Sequence, residues 1–584
     1  MKIRSLLRAR SLISIAHFAV WTALFSISYS QSPLYSSSQN QYFLHGLARG
    51  GLGLLQEDWL ANTADPTPVF SLLASITFRS LHESFFYLYY CLIFGIYLFS
   101  LIGIASRISN VNSTRPKYLT YLALMLAMHS AAAAYLSSKV LGVLGVRAEH
   151  NLRWFLLDGL AAQSTLESIF QPSTFGVLMI LSLYIFLMER PLFAVLPLAL
   201  AATFHPAYLL TGGIFTLSYM VATFRQGKRI KRPLLVGLLT LLLVLPMLTY
   251  IYIVFRPTSP ETWRASQEIL VRIRIPWHAV PRQWLNTAAY LKILIVFLTL
   301  YLIRRTKLFL PMLLSTLFAS TLTIVQISSN SDALALLFPW RASVILIPIS
   351  TSIIAAHLMS SAFQRFGPWV SKNEGLVKVL SLATVFAVAS GGAIVMKYRF
   401  ESGPRDTSRP MMDFVKRARS PGMVFLIPPA FKTFRLYTGV PILIDFESVP
   451  YKDSEVVEWY KRLLVARKFY EGLDGAAEWY KGIFITREVY EGHDGAAEWY
   501  KGLLVDRGVY GHHRGVDCRM LDGLSKDYAV THVVIANIQS PVTCAALQEV
   551  YKDAHYRVYR IIVNTWGNPR KTSRPRGRSF SLFV

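Results

Sequence analysis

The chain has 584 residues, 53% of them hydrophobic and 16% charged, with a formal net charge of +27. Its mean hydropathy of +0.39 and recurring apolar runs of about 18 or more residues, long enough to cross about 30 Å of hydrocarbon, exclude a soluble globular protein. The positive charge does not indicate nucleic acid, because no RNA- or DNA-binding motif accompanies it and cytoplasmic Lys and Arg account for it.

The N-terminus, MKIRSLLRARSLISIAHFAVWTALFSISYSQS, has the outline of a signal peptide. Its apolar run is long for one, and Trp21 and Phe25 are bulky near its end, so an uncleaved first span is expected. Eleven spans are expected, at 11–29, 83–105, 118–137, 174–188, 192–205, 207–224, 233–255, 288–303, 308–327, 337–357 and 378–396. With a cytoplasmic N-terminus, the inside segments 1–10, 106–117, 189–191, 225–232, 304–307 and 358–377 all carry Lys or Arg, as the positive-inside rule requires. The long loops 30–82, 138–173 and 256–287 then lie outside, together with the region from about 397 onward.

That last region changes character. RFESGPRDTSRP reads as a linker, and MVFLIP, VPILIDF, VTHVVIA and YRVYRIIV read as short strands with helices such as MMDFVKRAR between them. The expected division is a membrane part over 1–397, an α/β domain over 398–566 and a basic disordered tail over 567–584. EWYK recurs at 458–461, 478–481 and 498–501, a period of 20 within the tandem repeats of 457–516. The repeats either present Trp459, Trp479 and Trp499 for binding or duplicate one surface helix, and the second reading is favoured because so few units do not make a solenoid. Cys518 and Cys544 are either free or bridged in an oxidising exterior.

The first outer loop holds the residues with the clearest chemistry. In LLQEDWLANTADPTPVF, Glu57 and Asp58 stand side by side. One can act as a general base on an acceptor, or the two can hold a divalent cation, Mg or Mn, through oxygen ligands. The alternative is a pair of solvated loop residues or a helix cap. His45, in the apolar and Gly-rich QYFLHGLARGGLGLL, is a candidate substrate contact beside them, whereas Asp65 is expected to shape the Pro-rich turn. Arg272, Arg274 and His278, in RIRIPWHAVPRQW, run against the positive-inside trend, and arginine grips phosphate well. Pairing with Glu261 or Glu268, or contact with ordinary phospholipid, is the other account. Arg341, in LLFPWRASVILIP, carries a charge at the mouth of a span, where it either serves a site or snorkels to the interface. His205, in TFHPAYLL, is a site residue or a structural histidine, and Gln163 and Glu167 are polar enough to contact a sugar. No G-x-S-x-G, Walker A, H-E-x-x-H or paired CxxC is present.

The layout, with one span, a long outer loop holding QEDW, many further spans and an outer C-terminal domain, resembles the GT-C superfamily of membrane glycosyltransferases. EDWLANTADPTPVFS, TFHPAYLL, FPWRAS and IDFESVPYKDSEVVEWYKRL are also similar to bacterial membrane proteins of the same layout. The resemblance implies an α-helical polytopic membrane protein with about 11 transmembrane helices and a small extracytoplasmic α/β domain, in a bacterial inner membrane. It implies sugar transfer from a polyprenyl-phosphate donor to a glycan, lipid or protein acceptor, with Asp58 as base and Glu57 assisting. Arg272, Arg274, His278 and Arg341 would hold the departing phosphate. The chain lacks a clean DxD, and its tandem repeat belongs to no pattern of that family. The rival readings are a transporter or flippase of lipid-linked or anionic solutes, and a non-catalytic scaffold with the same fold.

Overall fold

The computed structural model describes residues 2–143, 151–402, 406–471, 518–537 and 544–562. All eleven apolar stretches fall on helices. Six of these, Phe85–Ser109, Pro206–Gly227, Lys231–Val254, Phe309–Ser329, Asp332–Arg365 and Glu374–Ser402, are long and apolar enough to cross a membrane. A seventh span is added if Arg115–His129 and Ala131–Val143, bent by 54°, count as one. The other four, Ile15–Tyr29, Pro172–Leu187, Pro191–Phe204 and Thr287–Ile303, are shorter apolar helices. Local chemistry sets their ends. Thr114 and Asn286 accept the amides of Lys117 and Ala289 at helix starts, and Asn110 and Asn330 close helices in the left-handed region. The 54° bend has its own cause: Ser130 is extended, and its hydroxyl accepts the amides of Ala132 and Ala133 as a fresh N-cap.

The loop 30–82 is ordered as short helices, among them Gln39–Tyr42, Leu44–Gly50 and Pro68–Ser80. Asp65 shapes the turn before the last of these: its Oδ1 accepts the amide of Thr67 and the hydroxyl of Ser71.

The C-terminal region forms a four-stranded sheet, β1 (Phe425–Leu426), β2 (His532–Ala536), β3 (Leu547–Lys552) and β4 (Tyr556–Ile561), in the order β1-β2-β4-β3. β1 runs parallel to β2, and the other pairs are antiparallel. VPILIDF, expected as a strand, contributes a single bridge between Ile442 and Phe425; Leu443 and Ile444 instead fill the core beneath the sheet. β3 was not expected, since LQEVYK alternates weakly and lies half in solvent. Cys518 and Cys544 form a disulfide.

Trp459, the first tryptophan of the repeat, is 0% exposed on helix Asp453–Glu471, and its indole donates to the Asp445 carbonyl. It is a core residue, so this copy presents nothing for binding. The second and third copies and the basic tail lie outside the described residues. The same core takes in Ile269 and Leu270 of the loop 256–287, with Trp59 of the loop 30–82 packed against it. Two loops of the membrane part are therefore built into the C-terminal domain.

Candidate functional site

The carboxylate of Asp58 is 0% exposed. Its Oδ1 accepts the amides of Leu60 (2.9 Å) and Ala61 (3.3 Å). Its Oδ2 accepts the amide of Ile442 (3.0 Å) and meets Arg435 Nε at 3.2 Å. Three amides thus hydrogen-bond to this carboxylate, and a guanidinium stands at ion-pair distance. Arg435, 2% exposed, reaches Asp445 Oδ2 through Nη1 at 2.9 Å, and Asp445 Oδ1 takes the Ser448 amide at 2.6 Å. The guanidinium sits at ion-pair distance from both carboxylates without lining up for hydrogen bonds. Asp58, Arg435 and Asp445 thus form a buried charged triad joining the loop 30–82 to the C-terminal domain.

Other contacts follow the same seam. Glu57 Oε2 accepts the Gly422 amide at 2.9 Å. Gln41 exchanges two hydrogen bonds with the Val449 backbone. Ala64 donates to Glu455, Leu54 to the Gly439 carbonyl, and Thr258 to Asp453. The sequence suggested a base or metal ligand in the QEDW pair; the structure places both carboxylates at the docking seam. The groups facing Asp58 are three amides and a guanidinium. No group of three or more His, Cys, Asp or Glu side chains suited to a metal occurs among the described residues.

A second cluster brings together several of the other expected residues. Arg341 lies on a 3₁₀ turn, Pro339–Ala342, that opens helix Ser343–Arg365; Phe338 before it has φ +49°, a strained conformation for a bulky residue. Arg341 Nη2 meets the Tyr208 hydroxyl at 3.3 Å, and its guanidinium lies 4.7 Å from the Tyr208 ring. His205, between helices Pro191–Phe204 and Leu209–Gly227, sits edge-on to Tyr42 at 6.1 Å and to Tyr208 at 5.4 Å. Arg274 ends a single π-helical turn, Ile269–Arg274, a distortion frequent at functional sites. It donates to the Glu447 carbonyl and lies over Phe446 at 5.2 Å. His278 Nδ1 meets the Ala161 carbonyl at 2.6 Å, and burial pushes its ring down to about 4, so it is neutral at pH 7 with Nε2 as the acceptor. Tyr42 and Tyr451 are neighbours beside Arg341.

Three nitrogens of this cluster have no partner among the described residues: Nε of Arg274, Nε of Arg341 and Nδ1 of His205. Ser173, whose carbonyl accepts the Tyr208 hydroxyl at 2.7 Å, has its Oγ buried without a partner among the described residues, and Gln163 Oε1 and Gln171 Oε1 are likewise buried without partners there. Buried polar atoms are rarely left unpaired, so this concentration marks a place built for a polar ligand. Glu167 stands at the edge, its Oε1 accepting the Ser164 hydroxyl at 2.7 Å.

Two expected residues lie elsewhere. Arg272 pairs with Asp332 at 3.4 Å. His45 is 5% exposed, with Nε2 3.2 Å from the Thr63 carbonyl, and burial lowers its pKa. The sequence reading missed Tyr42, Tyr451, Arg435 and Asp445. Tyr451 and Asp445 stand in the quoted stretch IDFESVPYKDSEV, and Arg435 just before it, but nothing local says what they face.

A family model described as a domain of unknown function, DUF6798, matches residues 406–466. That segment carries Arg435, Asp445 and Tyr451. Among solved structures, the chain is similar to ArnT from Cupriavidus metallidurans, crystallised bound to undecaprenyl phosphate, with 11% identity and a TM-score of 0.45 over 96% of this chain and 99% of that one. A likeness at that level settles neither the family of this chain nor its chemistry. No curated protein matches the chain.

Proposed function

We propose that this protein is a GT-C-like glycosyltransferase of a bacterial inner membrane, moving a sugar from a polyprenyl-phosphate carrier to an acceptor on the extracytoplasmic side. The observation that carries the reading is the convergence of Arg274, Arg341 and His205 with unpartnered nitrogens at the ends of apolar helices. A lipid phosphate arriving from the bilayer would meet those donors at headgroup level, and the tyrosines and amides alongside suit a hydroxyl-rich sugar. Two arginines aimed at one oxygen cluster stabilise the charge that grows on phosphate as it leaves. The Cys518–Cys544 bridge supports an extracytoplasmic C-terminal domain, because disulfides persist in oxidising compartments. The acceptor is a glycan, lipid or protein, and membrane lipids surround the site. For Asp58 to serve as the base, its contacts with Arg435 and Ile442 would have to open; closed, it anchors the domain.

The test uses the full chain in lipid nanodiscs and undecaprenyl phosphate as probe. Arg341→Gln and Arg274→Gln are each expected to weaken binding roughly 10-fold or more, the scale of a charge-assisted hydrogen bond. A wild-type protein that does not bind the lipid phosphate, or variants that bind it equally well, would sink the proposal.

A further inference from the structure

His278 stands among the arginines of the candidate site but offers ligand chemistry that they lack. Its Nδ1 meets the Ala161 carbonyl at 2.6 Å. A carbonyl oxygen only accepts, so Nδ1 carries the proton of that bond. The other ring nitrogen, Nε2, then bears either a lone pair or a second proton. The ring is pushed down to about 4, by burial first, with the Ala161 carbonyl opposing the shift and the charges of Arg341 and Arg274 adding to it. It is therefore neutral at pH 7, and its Nε2 is an acceptor that engages no donor among the described residues. Arg274 and Arg341 carry donors alone.

The carbonyl that sets this tautomer is itself held from two sides. Lys292, 1% exposed on helix Thr287–Ile303, donates to the backbone carbonyls of Asp158 (3.0 Å) and Gly159 (3.1 Å) and lies 3.9 Å from the Trp154 ring. On the other side, Leu160 donates its amide to Ser343 Oγ at 2.7 Å, two residues from Arg341. Gly159 packs so closely there that a Cβ would stand 2.5 Å from Ser343 Oγ. The Gly159 amide closes the turn on the Gln163 carbonyl at 2.8 Å. Leu160 and Ala161 share a small core with Trp284, Ala289 and Trp340. Ala161 has φ +53° and Ala162 φ +50°, a conformation that alanine rarely adopts and that these surroundings must enforce. The loop is thus clamped between the helix of Lys292 and the turn of Arg341, and its one inward-held carbonyl fixes which nitrogen of His278 is protonated.

We propose that His278 accepts, at Nε2, a hydrogen bond from a sugar hydroxyl of the carrier-linked donor, and that Lys292 is the positioning residue that keeps this lone pair in place. The proposal rests on the glycosyltransferase reading and adds what distinguishes a loaded carrier from a spent one. The phosphate oxygens of an ionised carrier only accept, so they gain nothing from a lone pair on Nε2 and pair with Arg274 and Arg341 instead. A sugar hydroxyl can donate. The arginines thus hold the phosphate that every carrier has, and His278 holds the glycosyl group that only the loaded carrier has. Once the sugar is transferred, Nε2 loses its donor, and a polar atom left unpaired weakens the hold on the spent carrier.

The experiment uses the full chain in lipid nanodiscs at about pH 8, where a phosphate monoester, with a second pKa of about 6, is ionised. The probes are undecaprenyl phosphate and a panel of undecaprenyl-phosphate hexoses, with no acceptor present. Wild type should bind at least one loaded carrier more tightly than the bare phosphate. His278→Phe should weaken binding of that carrier roughly 5-fold or more, the scale of a lost hydrogen bond, and shift the bare phosphate by less than about 2-fold. His278→Gln, which keeps an acceptor, should recover part of the loss. Lys292→Met should lose the same preference, and the nitrogen-15 resonances of His278, which in wild type report a proton on Nδ1 alone, should report a mixture of tautomers. Unchanged resonances in a folded Lys292→Met overturn the positioning role of Lys292; where that variant does not fold, the wild-type resonances and the His278 variants decide. Equal loss for both probes in His278→Phe makes His278 a phosphate contact and overturns the proposal, as does loss for neither. A wild type that binds the bare phosphate and prefers no loaded carrier also overturns it and leaves the glycosyltransferase reading standing. A wild type that binds neither lipid removes both.

Discussion

Asp58 and Ile442 are 384 positions apart, yet one carboxylate holds the amide of Ile442 and the guanidinium of Arg435 at once. The triad carries two negative charges against one positive, all buried, and the amides of Leu60, Ala61, Ile442 and Ser448 offset the excess. Removing Arg435 leaves two buried carboxylates without their cation, at a cost of about 3–5 kcal/mol, and Asp58→Asn weakens the acceptor shared by the amides of Leu60, Ala61 and Ile442. Asp58→Asn and Arg435→Gln are therefore each expected to speed amide hydrogen exchange across residues 434–445 by opening the seam. The double variant should cost less than the sum of the two, because the partners share one interaction. A base role for Asp58 predicts the opposite pattern, with turnover lost in Asp58→Asn and exchange unchanged.

At the scale of elements, the seam depends on two backbones in close approach. Gly53 has φ +57°, and a Cβ on it would stand 2.4 Å from the Gly439 carbonyl, whose residue is itself at φ +69°. Gly53→Ala should cost about 1–2 kcal/mol through the left-handed backbone alone, and the overlap should push the two segments apart. Protease nicking near residues 419–423, faster than in wild type, is the readout, and unchanged nicking would contradict the contact. The apolar helices were legible because each is written as a continuous local run. Asp65 was legible because a turn is local too. Arg341, Arg274, His205 and His278 were legible as anomalies, charges or imidazoles where bilayer or topology disfavours them. Arg435 and Asp445 were not, since their meaning lies in partners from another part of the chain. VPILIDF misled because a buried apolar loop and a strand share the same composition.

For the molecule as a whole, the number of crossings decides which face the site opens on. Eleven crossings, or the seven that include the bent pair, put the two termini on opposite sides; six put them on the same side. The basic residues of the N-terminus and of alternate loops favour a cytoplasmic start, and the Cys518–Cys544 bridge favours an oxidising compartment for the far end. Both constraints hold together only with an odd number. Counted from seven, the four shorter helices then add no crossing, two or all four, and one of them, Thr287–Ile303, leads into the basic Arg304, Arg305 and Lys307. Maleimide labelling of intact cells tests this. Cys518 and Cys544 should label with a membrane-impermeant reagent only after reduction, whereas a cysteine introduced at Arg305 should label only after the cells are permeabilised. If Cys518 and Cys544 label only after permeabilisation, the C-terminal domain and the loops packed on it face the cytoplasm, and a carrier presented on the outer leaflet could not reach Arg341.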